Sequence, residues 1–195
     1  MSIFDKARIV ILEDKTLFKG WSHLRGITFD FFREGRAPHR LSWEVFDRRE
    51  AAGILLHNVE RDTVTLVRQL RIPAHLMGDH PYLLEVPAGF IDEGETALQA
   101  VIREALEETG YAVTKASNAF AAYMSPGSVT EKVHCFYGSV TDVDRVSAGG
   151  GLDDEHEDLE VVELRFADAL RMVETGEIVD AKTIMLLQWA ALNRS

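Results

Sequence analysis

Cysteine is almost missing from this chain: one residue, Cys135, stands among 195. A lone thiol excludes a disulfide within the chain and fits a reducing compartment. It lies in the apolar run VHCFYG, so it reads as a small buried hydrophobe rather than a nucleophile. Basic residues are also short, with 21 Lys and Arg against 32 Asp and Glu, a formal net charge of −11. That balance argues against a surface made for nucleic acid or anionic lipid. An acidic protein that handles an anionic substrate needs bound cations or local arginines to offset the repulsion. No apolar run approaches membrane-spanning length, and the opening MSIFDKARIV lacks a secretory pattern. The expectation is a cytoplasmic protein with neither nucleic-acid nor membrane partners. Internal repeats, heptads and low-complexity segments are missing too.

What is present suffices for a real core: 195 residues, 46% of them hydrophobic, fit one domain with an appendage. Residues 1–46 read as short strands, RIVILED, TLFKGW, GITFDFF and SWEVF, broken at Gly20, Gly26, Gly35 and Pro38. Ile27, Phe29 and Phe31 share one face, with Phe32 on the other. A sheet this small hides little surface alone, so it is expected to pack on the main domain or on a second subunit. The main domain, 47–195, opens with strands AAGILLHN and TVTLVRQL, the second closed at Pro73, and HLMGDHPYLL reads as a loop. Two helices, FADALRMV stopped by Gly176 and the apolar AKTIMLLQWAAL, end the chain.

The most informative stretch is 89–111, GFIDEGETALQAVIREALEETGY. Thr96 and Gln99 have the spacing of a capping box, and Gly110 is placed to stop the helix in the left-handed conformation. Leu98, Val101, Ile102 and Ala105 form the expected buried stripe. Glu104, Glu107 and Glu108, at i, i+3 and i+4, share another face. Like charges at that spacing repel, and acids in the last turn oppose the helix dipole. Two readings stand: a solvated acidic face, or carboxylates gathered for a hard divalent cation such as Mg²⁺, Mn²⁺ or Ca²⁺.

These residues resemble the Nudix hydrolase box, in which a glycine, a glutamate and the run R-E-U-x-E-E-x-G-U stand at set distances and U is a bulky aliphatic. Gly89, Glu95, Arg103, Glu104, Glu107, Glu108 and Gly110 all fall at the required spacing. Ala105 and Tyr111 depart at two U positions, in the manner of the family's ADP-ribose and nucleotide-sugar branch. The resemblance implies an α/β Nudix fold, a mixed sheet between helices, preceded by a small antiparallel β subdomain. The activity it implies is Mg²⁺-dependent hydrolysis (Mn²⁺ substituting) of the diphosphate bond in a nucleoside diphosphate sugar. A homodimer that uses the N-terminal sheet also follows from it. The segments YMSPG, TE, AGGG and EVxEL are similar to GDP-mannose hydrolases, and the length of GLDDEHED is similar to ADP-ribose pyrophosphatases. A ligand sensor without hydrolysis is the alternative, but such a module usually loses a box acid or the distal glutamate, and all are kept here.

Site residues carry over one at a time. The resemblance makes Glu104, Glu107, Glu108 and the carbonyl of Ala88 metal ligands. It makes Arg71, ahead of the box, and Arg48, in VFDR, substrate contacts. Glu85 either binds substrate or faces solvent. Trp43 stands where some relatives carry arginine, and either stacks on a base or packs. Composition reads DDEHED around His156 as a solvated loop or a functional one; the resemblance places the catalytic base there, at Glu157 or Glu155. Gly149 to Gly151 are expected to make the approach to it flexible.

Overall fold

The computed structural model describes residues 2, 4–151 and 158–193, and the chain forms two compact units. The first comprises residues up to Arg49 together with Ser125–Glu131. It is a three-stranded antiparallel sheet of β1 (Arg8–Lys19), β2 (His23–Phe32) and β3 (His39–Asp47), with β2 central. RIVILED and TLFKGW, read as separate strands, run as one β1; two register shifts, at Ile11/Glu13 and Thr16/Phe18, bend it instead of breaking it. On β2, Arg25 bonds Asp14 of β1 and Asp47 of β3, joining all three strands. Phe29 alone among the described residues of this sheet is buried, with Trp43 against it edge-on at 5.4 Å. Trp21 is 92% exposed, Phe18 63% and Ile9 60%. Ser125–Glu131 joins this unit by pairing with the end of β3: Phe46 N donates to Ser128 O (2.7 Å) and Thr130 N to Phe46 O (3.1 Å).

The second unit is a mixed sheet with helices on both faces. β4 (Ala51–Asn58) is buried along its whole length, which explains its near-continuous apolar sequence. It runs parallel to β9 (Lys132–Val140) and antiparallel to β5 (Thr63–Leu70), and β10 (Glu160–Arg165) and β8 (Ala116–Tyr123) complete the order β10-β5-β4-β9-β8. β4 and β5 pair only at one end, Leu56–Asn58 with Thr63–Thr65. Into the splay the chain inserts β6 (Tyr82–Glu85), bonded to β5, then β7 (Ala88–Phe90), bonded to β4. Pro87 at the crossing has no N–H to offer, but its carbonyl accepts from Ile54 N at 3.0 Å.

Residues 72–76, expected to continue a strand end into a loop, form a short helix, α1 (Ile72–Leu76). Pro73 sits in its first turn, where a missing N–H costs nothing, so here it opens a helix rather than merely ending a strand. α2 (Ala97–Thr109) covers one face of the sheet, where Ala52, Ile54 and Leu56 meet Ala100, Val101 and Ala105. α3 (Phe166–Thr175) and α4 (Ala181–Asn193) cover the other, packing Phe166, Ala169, Leu186, Leu187 and Ala190 on Leu55, Leu66 and Cys135. Burial pushes the Cys135 thiol up to about 12, so it stays protonated and inert. No helix among the described residues is long and apolar enough to cross a membrane.

Candidate functional site

α2 begins and ends as its local sequence dictates. The Thr96 hydroxyl accepts from Gln99 N at 3.3 Å, and Gln99 Oε1 accepts from Thr96 N at 2.9 Å, a complete capping box. Gly110 closes the helix at φ 78°, with its N–H on Leu106 O at 2.9 Å.

Its buried side keeps Val101 and Ala105 of the stripe that apolar periodicity suggests, but not Leu98. Leu98 is 42% exposed, and the buried positions are Ala100, Val101, Glu104, Ala105, Glu108 and Thr109. Glu104 is 9% exposed and Glu108 2%, one turn apart on the side that faces the sheet. Burial on that scale excludes a solvated acidic face for these two. Space for them comes from β7. A Cβ on residue 89 would lie 1.8 Å from Glu104 Oε1, so the carboxylate occupies the volume that glycine vacates.

Strand parity sets the direction of the Ala88 backbone groups. Ile54 N bonds Pro87 O and Ile91 N bonds Glu50 O, each at 3.0 Å, so in this register Ala88 and Phe90 turn their backbone groups away from β4. Both edges are used: Ala88 N donates to Glu108 Oε2 at 3.1 Å, and Phe90 O accepts from Arg103 Nη2 at 3.1 Å. In an extended strand a residue's N–H and C=O point the same way, so the Ala88 carbonyl leaves β7 on the edge of Glu108.

Arg103 organises the remaining acids. Its Nη1 lies 2.7 Å from Glu104 Oε1 and 3.1 Å from Glu107 Oε2, and its Nε and Nη2 bond Glu95 at 3.2 and 3.1 Å. The Glu95 bonds hold the guanidinium above its ordinary range, against burial, and Arg103 in turn holds the Glu95 carboxyl below its own. Among the described residues no three acid, histidine or cysteine side chains close on a common point at ligand spacing. The donor chemistry nevertheless fits one class of metal. Glu104, Glu107, Glu108 and the Ala88 carbonyl offer only hard oxygens, and Mg²⁺ takes one or two carboxylates plus waters and phosphate oxygens rather than an all-protein cage.

A second charged group converges from distant parts of the chain. Arg71 forks onto Glu85 with Nε–Oε1 2.7 Å and Nη2–Oε2 2.9 Å. Lys182, in the first turn of α4, donates to the same Glu85 carboxylate at 2.5 Å and to Asp180 at 3.0 Å. Asp180 also accepts from Thr183 N (3.0 Å) and its hydroxyl (2.6 Å), and that hydroxyl accepts from Val86 N (2.8 Å). Glu85 is 2% exposed, so the solvent-facing reading fails; it is the buried anchor of Arg71. Burial alone would raise its carboxyl, but the Arg71 bonds and the charges of Lys182 and Arg71 hold it below the ordinary value. Burial would lower Arg71 in the same way, but the Glu85 bonds, with the charges of Glu85, Asp180 and Glu108, hold it above its ordinary value. Lys182 and Asp180 carried no signal in the sequence, since nothing local marks a lysine as the partner of a glutamate 97 residues away.

Arg48 belongs to the N-terminal unit: its N–H donates to the Thr130 hydroxyl at 2.8 Å, and its guanidinium is 3.9 Å from Glu131 and 5.8 Å from the Trp21 ring centre. Trp43 packs one edge on Phe29 and leaves 55% of its surface exposed. Glu155, His156 and Glu157 lie outside the described residues. The glycines before them, Gly149, Gly150 and Gly151, have φ 70°, 114° and 85°, and Gly150 N and Gly151 N donate to Glu108 O (2.8 Å) and Glu107 O (3.2 Å). All three stand at positive φ, which favours glycine, and at 149 a Cβ would also meet the backbone of Thr109 at 2.5 Å.

The NUDIX domain profile matches residues 47–187. A GDP-mannose pyrophosphatase of Escherichia coli O1:K1 / APEC is 41% identical over 187 residues, which is 95% of this chain and 96% of that one. Another, of E. coli strain SMS-3-5, is 42% identical over 183 residues, 93% and 94% of the two chains. The enzyme of that name from Shigella dysenteriae serotype 1 is 41% identical over 187 residues, again 95% and 96%. A crystal structure of an ADP compounds hydrolase aligns with TM-score 0.74 over 95% of this chain and 93% of its own, at 21% identity, and so shares the fold. With the box residues in place on α2 and β7, the chain belongs to the Nudix hydrolases.

Proposed function

We propose that this chain hydrolyses the diphosphate link of a nucleoside diphosphate sugar, of GDP-mannose or ADP-ribose type, to a nucleoside monophosphate and a sugar phosphate. The observation that carries this reading is the pair of buried glutamates, Glu104 and Glu108, set against Ala88 and Gly89. GDP-mannose is the first substrate to try, since relatives more than 40% identical carry that name.

Divalent cations accompany the chemistry of the family, and we assign Mg²⁺, or Mn²⁺ in its place, to Glu104, Glu107, Glu108 and the Ala88 carbonyl. When bound, such a cation neutralises diphosphate oxygens and the charge that develops on the leaving phosphate. Arg71, whose Nε and Nη2 are held by Glu85, presents its remaining Nη donors to the diphosphate, and Lys182 fixes the Glu85 carboxylate that orients it. Arg48 is assigned to substrate on the family resemblance alone. Glu157 or Glu155 accepts a proton from water as its oxygen attacks one phosphorus; the bridging oxygen departs with the electron pair of the broken P–O bond. The N-terminal sheet, with Ile9, Phe18 and Trp21 open to solvent, is assigned to a homodimer. A cytoplasmic setting is in keeping with the single, buried cysteine.

The test is a panel of nucleotide sugars incubated with Mg²⁺ and resolved by chromatography. GDP-mannose should give GMP and mannose 1-phosphate in equal amounts. A protein that cleaves no member of the panel, or that releases free inorganic phosphate instead, overturns the reading.

A further inference from the structure

The last turn of α2 is completed by chain 40 residues away, and this join is more than a cap. After Gly110 the chain leaves at once: Tyr111 bridges Arg145, and Ala112 N donates to Asp144 O at 2.8 Å. The Ala112 N–H is thus turned away from α2, and the last-turn carbonyls take donors from a later segment. Gly151 N and Gly150 N supply their partners, while Val146 N donates to Gly110 O at 2.8 Å.

This contact is backbone against backbone. A Cβ on residue 149 would stand 2.5 Å from Thr109 C and 2.6 Å from Glu108 O. A Cβ on residue 110 would stand 2.1 Å from Ser147 O. Neither clash is relieved by rotating a side chain. Glu107 and Glu108 need such support, because two acids in a final turn oppose the helix dipole and favour fraying.

We infer that Gly149, Gly150 and Gly151 are positioning residues: by clamping the backbone of the last turn of α2 they hold the Glu107 and Glu108 carboxylates in place to take a divalent cation. The inference rests on the cation reading proposed above. Close approach to α2 sets Gly149 apart from other glycines of the same conformation. Gly176 has φ 79°, close to the 70° of Gly149, but nothing within 4 Å of a Cβ placed there. Alanine at 149 and at 176 thus bears the same backbone strain, and only at 149 is α2 pushed.

Direct binding of Mn²⁺, followed by electron paramagnetic resonance of the free ion, tests this without recourse to activity. Gly149→Ala should weaken Mn²⁺ affinity at least about tenfold, and Gly176→Ala should leave it within about twofold. Equal effects in the two variants, or none in either, overturn the inference while leaving the cation reading intact. Amide hydrogen exchange of the wild-type chain covers the case in which Gly149→Ala does not fold. The Gly150 and Gly151 amides should then be protected to the level of the final α2 turn; exchange at the rate of open chain overturns the clamp. Wild-type protein that binds no Mn²⁺ despite protected amides overturns the cation reading, and the positioning role falls with it.

Discussion

Gly89 and Glu104 share one volume: a methyl group on residue 89 would lie 1.8 Å from Oε1 of Glu104 and 2.2 Å from its Cδ. The box therefore begins with glycine because of the carboxylate fifteen positions on. That carboxylate is the far end of a flexible side chain, so Gly89→Ala should fold, with Glu104 rotated away. Turnover should fall about 10²-fold or more, the order expected when one electrostatic stabiliser is removed. Steady-state kinetics beside thermal unfolding will show this; turnover within a factor of about two would mean that Glu104 has no part in the chemistry.

The Arg71–Glu85–Lys182 group ties stability to pH. Glu85 has a folded pKa below its ordinary 4.5, so its contribution is complete above that value and is lost as pH falls through the folded pKa. Lys182 is shifted above its ordinary 10.5, so its contribution is complete below that value and is lost as pH rises through the folded pKa. Glu85→Gln should accordingly flatten the acid limb of a plot of unfolding free energy against pH. Lys182→Met removes one partner of a buried carboxylate and should cost about 3 kcal/mol in urea denaturation at neutral pH. A Glu85→Gln acid limb as steep as that of the wild type would sink the assignment.

Roles of the two acidic stretches should separate kinetically. Glu104→Gln and Glu108→Gln should raise the Mg²⁺ concentration needed for half-maximal activity. Glu104→Gln should also lower stability by about 1 kcal/mol, because it takes a charged partner from Arg103. This reverses the expectation from like-charge spacing, which counts the acids but not the guanidinium between Glu104 and Glu107. Glu157→Gln or Glu155→Gln should leave the Mg²⁺ requirement unchanged and lower turnover by roughly 10²- to 10⁴-fold. A double variant that keeps more than about a tenth of wild-type turnover, a deficit smaller than that range, excludes both as the base.

Self-association should depend on the outer residues of the N-terminal sheet. The full chain is expected to be a dimer by light scattering, and Phe18→Glu with Trp21→Glu a monomer with an unchanged circular dichroism spectrum, since both side chains are exposed. A wild-type chain that scatters as a monomer at high concentration rules out this use of the sheet.

Much of the site was legible because its signals are local. The Thr96–Gln99 box and the stop at Gly110 depend on neighbours a few positions apart, so hydrogen-bond geometry within one turn decides them. The mixed order of strands and helices followed from period and breaker residues in the same way. Local reading failed where one residue suits two elements. Pro73 breaks a strand and starts a helix equally well, and bulges carried β1 through a break that looked like a turn.

The sequence by itself determined the family, the helix that bears the acids and which acids share its face, since these depend on residue type and spacing along one element. Tertiary structure alone decided which of those acids are buried. Apolar periodicity placed Leu98 inside, yet Gly89 across the interface made room for Glu104, and Ala88 N–H met Glu108. It also decided that Glu85 anchors Arg71, through a lysine 97 residues on, and that three glycines serve as a clamp. A buried charge is costly unless something specific stands opposite, and what stands opposite is brought there only when the chain folds.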